Sequence, residues 1–590
     1  MTPRVLSLLL LLWCLLDAPA VVRAGASSQE SQQEELLVVD GVVGQRGGEL
    51  VVTQRAEPRT LNPVTAADAP SREVIRRTIG DLIHINRETH EVEPALARSW
   101  KVSPDGRRLT LALRRGVRFS DGNGFDADDV VFSFRVYLDE KIASPQRDLL
   151  IVGGQPITVR KIDQYSVEFG LGASYSVAER IFDSLAMLPQ HLLEKAYAEG
   201  RLAEAWNLAT PASQIAGLGP FRFREHVGGQ RIVLERNPYY WKSNRAGERL
   251  PYLDRLVFLP VASEDAQLLR FQAGEADLLN RIGAESFGAL AREQATRGYV
   301  VQDLGPSLEY TFLFFNMNEL TPAQGALARK QRWFRDTTFR QAVSAAIDRD
   351  AIVRGVYRGR ATPLAGHVTP GNKRWINTTL PAPVHSPERA RDLLAKAGYR
   401  AGSDGALRDP GGDPIEFSIL VNASNPILKE AATMIQEDLR QVGIRAHVAP
   451  LEFRAMVDRV LNTHEYEAAV LALGGGDADP NAELNVWLSS GPQHLWRVGA
   501  ERPATAWEAE IDTLMRAQVG MLDRESRKRA YDRVQAIVAE QVPFVCLVSP
   551  NVLVGARDGL ANVRPVVMDH QLLWNIEELF WRAPSSKRSQ

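Results

Sequence analysis

Between residues 415 and 473 strand and helix signals alternate: strand 415–421, helix 427–442, strand 444–448, helix 453–461, strand 468–473. A β-α-β-α-β succession of this kind closes into a parallel sheet with right-handed crossovers, which places the chain among α/β folds. Upstream, Phe339, Val343, Ala346, Ile347 and Val353 recur at helical spacing. Ser386, Pro387 and Gly398 stand where a helix takes its N-cap, first-turn proline and terminal glycine. The last strand runs into Gly474, Gly475, Gly476, Asp477, Ala478, Asp479 and Pro480. Open α/β sheets bind ligands beyond the carboxyl ends of their strands, so topology alone singles out this loop.

Residues 100–260 have a different texture. Leu109, Leu111 and Leu113 alternate with polar or small residues, and 221–234 reads as a hairpin turning at Gly228-Gly229. No repeat of solenoid or propeller length is visible. At 590 residues, 45% hydrophobic and 24% charged, the chain is an ordinary globular protein of about three domains. Its 70 Lys+Arg against 72 Asp+Glu leave a charge of −2 and no basic stripe, which excludes nucleic acid as a partner.

The N-terminus departs from that average. Arg4 precedes an apolar run over 5–16 broken only by Ser7, and small residues follow at Ala18, Ala20 and Ala24. This is the layout of a signal peptide over 1–24, cleaved after Ala20 or Ala24, and it is too short to span a bilayer. A Ser/Gln/Glu-rich tract then implies a disordered tether over 25–45, with the folded part starting near Glu49. Cys14 lies inside the signal and follows Trp13 rather than a small residue, so no lipid anchor is expected. Cys546 is then alone in an apolar segment and reads as a buried thiol without a bridge.

Most enzymatic signatures are missing. No two of the ten His lie three to five residues apart, and there is no G-x-S-x-G elbow, phosphate loop or H-E-x-x-H. The stretch 121–129 resembles a calcium loop superficially, but position 132 is Phe where such a loop needs glutamate. A turn leading to an Asp126 N-cap for helix 127–137 explains it better. No catalytic residue, metal ligand or cofactor is assigned.

Several segments resemble one known family. They are 93–106 (EPALARSWKVSPDG), 113–122 (LRRGVRFSDG), 125–134 (FDADDVVFSF), 217–221 (GLGPF), 237–241 (NPYYW), 274–277 (GEAD), Phe315-Asn316, 340–348 (RQAVSAAID) and 393–399 (LLAKAGY). Together, over roughly 50–565, they resemble the extracellular solute-binding proteins of family 5, the peptide receptors of ABC importers. The resemblance implies an α/β, two-lobed periplasmic-binding-protein fold of type II with a hinge and an extra subdomain. The first lobe would comprise 46–80, 210–305 and 530–590, the extra subdomain 81–209, and the second lobe 306–529. Such folds close on a ligand by hinge motion.

In oligopeptide-binding relatives an acidic residue after the N-terminal strand and an Asp in a late second-lobe loop help hold the ligand, the latter through its α-amine. Glu57, in 57–63 (EPRTLNP), matches the first position. Asp477 and Asp479 fall near the second, although Gly476 stands where relatives carry Asp. Tyr310 and Asn316, flanking strand 311–315, His367 and Trp496 complete the candidate set, each of which also reads as core or surface. The expected protein is a monomeric, non-catalytic periplasmic receptor delivering peptides to an inner-membrane ABC permease. A chelated metal, haem, oligosaccharide or opine is the alternative cargo, and a secreted hydrolase or chaperone-like binder the rival class.

Overall fold

The structure is a computed structural model that describes residues 34–320, 324–474 and 478–582. The signal segment, Cys14 and Asp477 lie outside the described residues. Two large sheets organise the rest. The first has eight strands, in the order Phe221–Val227, Arg231–Arg236, Arg255–Pro260, Glu49–Gln54, Leu278–Leu279, Val548–Arg557 and Tyr299–Pro306, with Ala361–Pro363 added beside Val548–Arg557. Glu49–Gln54 runs parallel to both its neighbours and is buried along its middle four residues, as a central strand covered on both faces must be.

The second sheet has five strands, ordered Arg445–Leu451, Glu416–Asn422, Ala468–Gly474, Glu309–Phe315 and Phe544–Cys546. Its first three strands are parallel, as the strand–helix alternation requires. The helices between them follow from local chemistry. Asn425 accepts a hydrogen bond from Leu428 N at 3.1 Å with Pro426 in the first turn, and Leu428, Ala431, Ala432, Ile435 and Leu439 form the buried stripe of Pro426–Gln441. Ser386 caps Pro387–Lys396 through Arg389 N at 3.1 Å.

Each sheet anchors its own core. One joins Leu50, Phe119, Trp241 and Leu573, and the other Phe312, Phe315, Trp487 and Val545. The extra subdomain, a four-stranded antiparallel sheet with helix Ala127–Leu138, shares the first of these cores. Asp126 and Asp129 form a capping box at that helix, which accounts for the acidic run at 121–129.

The chain crosses between the lobes at neighbouring places. Tyr299–Pro306 of the first sheet is followed almost at once by Glu309–Phe315 of the second, and Phe544–Cys546 of the second by Val548–Arg557 of the first. The two crossings are bonded together: Ser307 N donates to Pro550 O at 2.9 Å and Leu547 N to Thr311 O at 2.8 Å. Two short connectors lying side by side let the lobes rotate as bodies about one line.

Two expected boundaries differ in the structure. Residue 530 lies inside helix Arg524–Gln541, whose buried Tyr531, Val534, Ile537 and Val538 belong to the second core, so the return crossing comes at Leu547. Residues 34–45 are packed rather than free. Leu37–Val38 pairs with Lys242–Ser243, and Glu34 and Glu35 meet Arg249 and Arg98. Composition hid this because two backbone-paired residues suffice to dock a polar segment. Among the described residues no helix is long and apolar enough to cross a membrane.

Candidate functional site

Strand Ala468–Gly474 ends opposite Glu309, where the second sheet meets the crossing segments. Asp479, just beyond, caps the turn Pro480–Glu483 through Asn481 N at 3.0 Å. Its carboxylate also accepts two hydrogen bonds from Arg527, at 2.8 and 3.1 Å, and both side chains are only 5% exposed. Arg527 further donates to Gln518 and lies over the Trp375 ring at 5.0 Å. A buried carboxylate needs a countercharge, and here the chain supplies it, so Asp479 does not require a ligand ammonium.

Next to this pair lies a buried polar cluster. The His367 ring packs on Trp487 at 4.1 Å, and its Nε2 is 3.2 Å from Tyr531 Oη and 3.5 Å from a Glu483 oxygen. Tyr531 Oη and Trp487 Nε1 both donate to Glu483, at 3.0 and 2.7 Å. Because the tyrosine proton goes to Glu483, His367 must donate to Tyr531 from Nε2, which leaves Nδ1 as a bare acceptor. That Nδ1 is buried without a partner among the described residues, and so is the hydroxyl of Tyr310, whose ring lies 6.3 Å from His367. Burial pushes the His367 imidazole down to about 3 and the Glu483 carboxyl upward. The imidazole is therefore neutral at physiological pH and able to accept a hydrogen bond.

The other expected residues lie elsewhere. Tyr310 and Asn316 sit six residues apart along an extended segment, about 20 Å, and cannot flank one small ligand. Asn316 is fully buried, donating to His464 O and Tyr466 O at 2.8 and 2.7 Å and accepting from Asn318. Trp496 is 1% exposed, with Nε1 bonded to Glu508 at 3.0 Å and its ring against His494 and Phe544, so no face remains for stacking on a ligand. Glu57 lies on the first lobe. Hydrogen bonds from His226 Nε2 at 2.5 Å and Gly229 N at 3.0 Å hold its carboxyl below the usual range. Thus Tyr310 and His367 come together, Asp479 stands near them, and Glu57, Asn316 and Trp496 do not join the cluster.

Glu483, Trp487, Arg527 and Tyr531 were not legible as site residues. Their only signal is spacing: each pair is four apart on a helical segment, the offset that puts side chains on one face. The lobes also touch away from the crossings. Arg374 of the second lobe donates to His90 O at 2.8 Å and pairs with Glu91 at 3.0 Å, and Ser176 N donates to Val519 O at 2.7 Å.

A family model, that of the bacterial extracellular solute-binding proteins, family 5 (middle region), matches residues 91–494, more than half of the chain. The chain belongs to this family. The oligopeptide-binding protein AppA of Bacillus subtilis is 26% identical to this family member over 550 residues, covering 91% of this chain and 92% of its own. Heme-binding protein A of Haemophilus influenzae is 28% identical over 505 residues, covering 83% and 84%. NikA from Brucella suis, solved in complex with Fe(III)-EDTA, is similar in fold, with a TM-score of 0.76 at 22% identity over 90% of this chain and 100% of that one.

Proposed function

We propose that the protein is an extracytoplasmic receptor that captures a peptide between its lobes and delivers it, as a monomer and without catalysis, to an inner-membrane ABC permease. The observation that carries this reading is the pair of hydrogen-bonded crossings beside a seam of contacts far from them in the chain. That arrangement suits a ligand-driven change between open and closed forms. The N-terminal signal layout supports a periplasmic location. Near end-to-end similarity to an oligopeptide-binding protein supports peptides as cargo. The hydroxyl of Tyr310 and Nδ1 of His367, a donor and an acceptor without partners among the described residues, suit an amide group that reaches them.

One observation favours a different solute. Asp479 is already neutralised by Arg527, which takes one of the two candidate carboxylates away from a peptide's α-amine and suits a cargo without a free amine. Native mass spectrometry of the protein incubated with a mixture of free and N-acetylated peptides decides between them. Retained peptides, free or blocked, support the peptide reading; retention of none, with a non-peptide solute held instead, overturns it.

A further inference from the structure

A crevice of about 230 Å³ opens on the second lobe, and every residue of its wall belongs to that lobe. Helix Thr337–Ala346 contributes one part of the wall, and the end of helix Arg524–Gln541 with strand Phe544–Cys546 another. Leu364, Val538, Val542 and Phe544 make the buried part apolar. The segment 381–384 (PAPV) lies on the solvent side, with Val384 64% exposed. An apolar cavity of about 150 Å³ holds benzene, so this crevice has room for such a ring and a short polar head.

The wall holds two arginines and no carboxylate. Arg349 is 5% exposed. Its Nε donates to Cys546 O at 2.7 Å, Nη1 to Ser344 O at 2.9 Å and Nη2 to Ser344 Oγ at 2.9 Å. These acceptors are neutral, and the carbonyls ending helix Thr337–Ala346 supply at most about half a negative charge. Every other buried arginine among the described residues has an acid. Arg77, Arg87 and Arg527 form ion pairs with Glu73, Asp183 and Asp479. Glu35 acts on Arg114, and Asp336 and Glu508 on Arg340. For Arg349 the ionisable neighbour is the Cys546 thiol, which burial pushes up to about 12 and so keeps neutral. A guanidinium this far from water and without a countercharge calls for an anion. Arg389, exposed, adds a second positive charge to the wall and pairs with no carboxylate among the described residues.

We propose that this crevice binds a small monocarboxylate with an aromatic or branched apolar body, the carboxylate on Arg349 and the body against Val538, Val542 and Phe544. The second N–H of Arg349 Nη2 has no acceptor among the described residues and is free to donate to it. The apolar wall disfavours phosphate, whose further oxygens would lose water against Leu364 and Phe544 without gaining a partner. A neutral apolar molecule would fill the space but leave Arg349 without a counterion, and a cation would meet no acid. The site adjoins the return crossing: Arg349 holds Cys546 O, and the next carbonyl, Leu547 O, accepts from Leu364 N at 3.0 Å. Lying apart from the interlobe cleft, it stands or falls independently of the peptide reading.

The test is calorimetry and thermal-shift measurement on the full chain with benzoate, benzamide and inorganic phosphate as probes. Benzoate is expected to bind about tenfold or more tighter than benzamide, which keeps the ring and lacks the charge. Arg349→Gln should remove most of that preference. Arg389→Glu and Val384→Asp, both at exposed positions, should each weaken benzoate about threefold at low salt and less at high salt. These two variants decide the matter if Arg349→Gln does not fold. The proposal is overturned if benzoate shows no saturable binding, if benzamide or phosphate binds as tightly, or if benzoate affinity survives the substitutions at low salt.

Discussion

Replacing Asp479 by Asn tests whether that carboxylate serves the fold or the cargo. In the structure its two oxygens take both terminal nitrogens of Arg527, with each partner 5% exposed. Removing one member of a buried pair strands the other, at a cost of about 3–5 kcal/mol. The lower end applies here, because Arg527 keeps Gln518 Oε1 at 2.8 Å and its place over Trp375. By comparison, cutting the exposed pair Arg440–Glu437 should cost about 0–1 kcal/mol. Urea unfolding followed by tryptophan fluorescence includes the second lobe, since Trp487 and Trp496 share its core as Trp206 and Trp241 share the first. Asp479→Asn should lower stability by about 3 kcal/mol, and Asp479→Leu combined with Arg527→Met should recover much of it, because no lone charge remains. Unchanged stability with lost cargo binding would refute the assignment and restore Asp479 to the ligand.

Glu508 is a second buried acid, where burial is outweighed by the His494 ring 3.6 Å away and by hydrogen bonds from Trp496 and Thr505, which hold its carboxyl down to about 2. Its folded value is depressed from 4.5, so its stabilisation of about 3 kcal/mol is complete above pH 4.5 and lost as pH falls toward 2; Glu508→Gln should flatten acid unfolding in that window. His367 titrates in a higher window: with a folded value near 3 against 6.5 unfolded, stability falls as pH drops below 6.5, and His367→Asn should remove that slope. Burial raises the Cys546 thiol from 9 to about 12, so its reaction with a disulfide reagent at pH 8 should be about a thousandfold slower in the native protein than in urea.

The parallel half of the second sheet was legible because its signals are local. Apolar strand runs, an Asn425-Pro426 start and a Ser386 cap each act within a few residues. The docking of 34–45 was not, since it depends on two backbone pairings across about 200 residues and leaves no mark on hydrophobicity. The candidate site divides along the same line. Tyr310 was a candidate from its place beside the crossing strand and His367 from the segment 361–371, but their surroundings depend on Glu483 and Tyr531, which come from other elements. Asn316, beside the crossing strand, and Trp496, in a late loop, looked equally suitable as a polar and an aromatic candidate. Only packing distinguishes an indole locked to Glu508 from one free to stack. Asp479 shows the same point for charge: its partner is 48 residues away on another helix.

Small-angle X-ray scattering of the full chain, with and without a peptide shown by native mass spectrometry to bind, examines lobe closure most directly. The ligand should narrow the distance distribution as the lobes rotate about the 306–309 and 546–548 crossings. Arg374→Ala, which removes the contacts to His90 and Glu91, should require more peptide to reach the same narrow form. A bound peptide that leaves the scattering profile of the unaltered protein unchanged would show that capture does not proceed by closure of the two lobes.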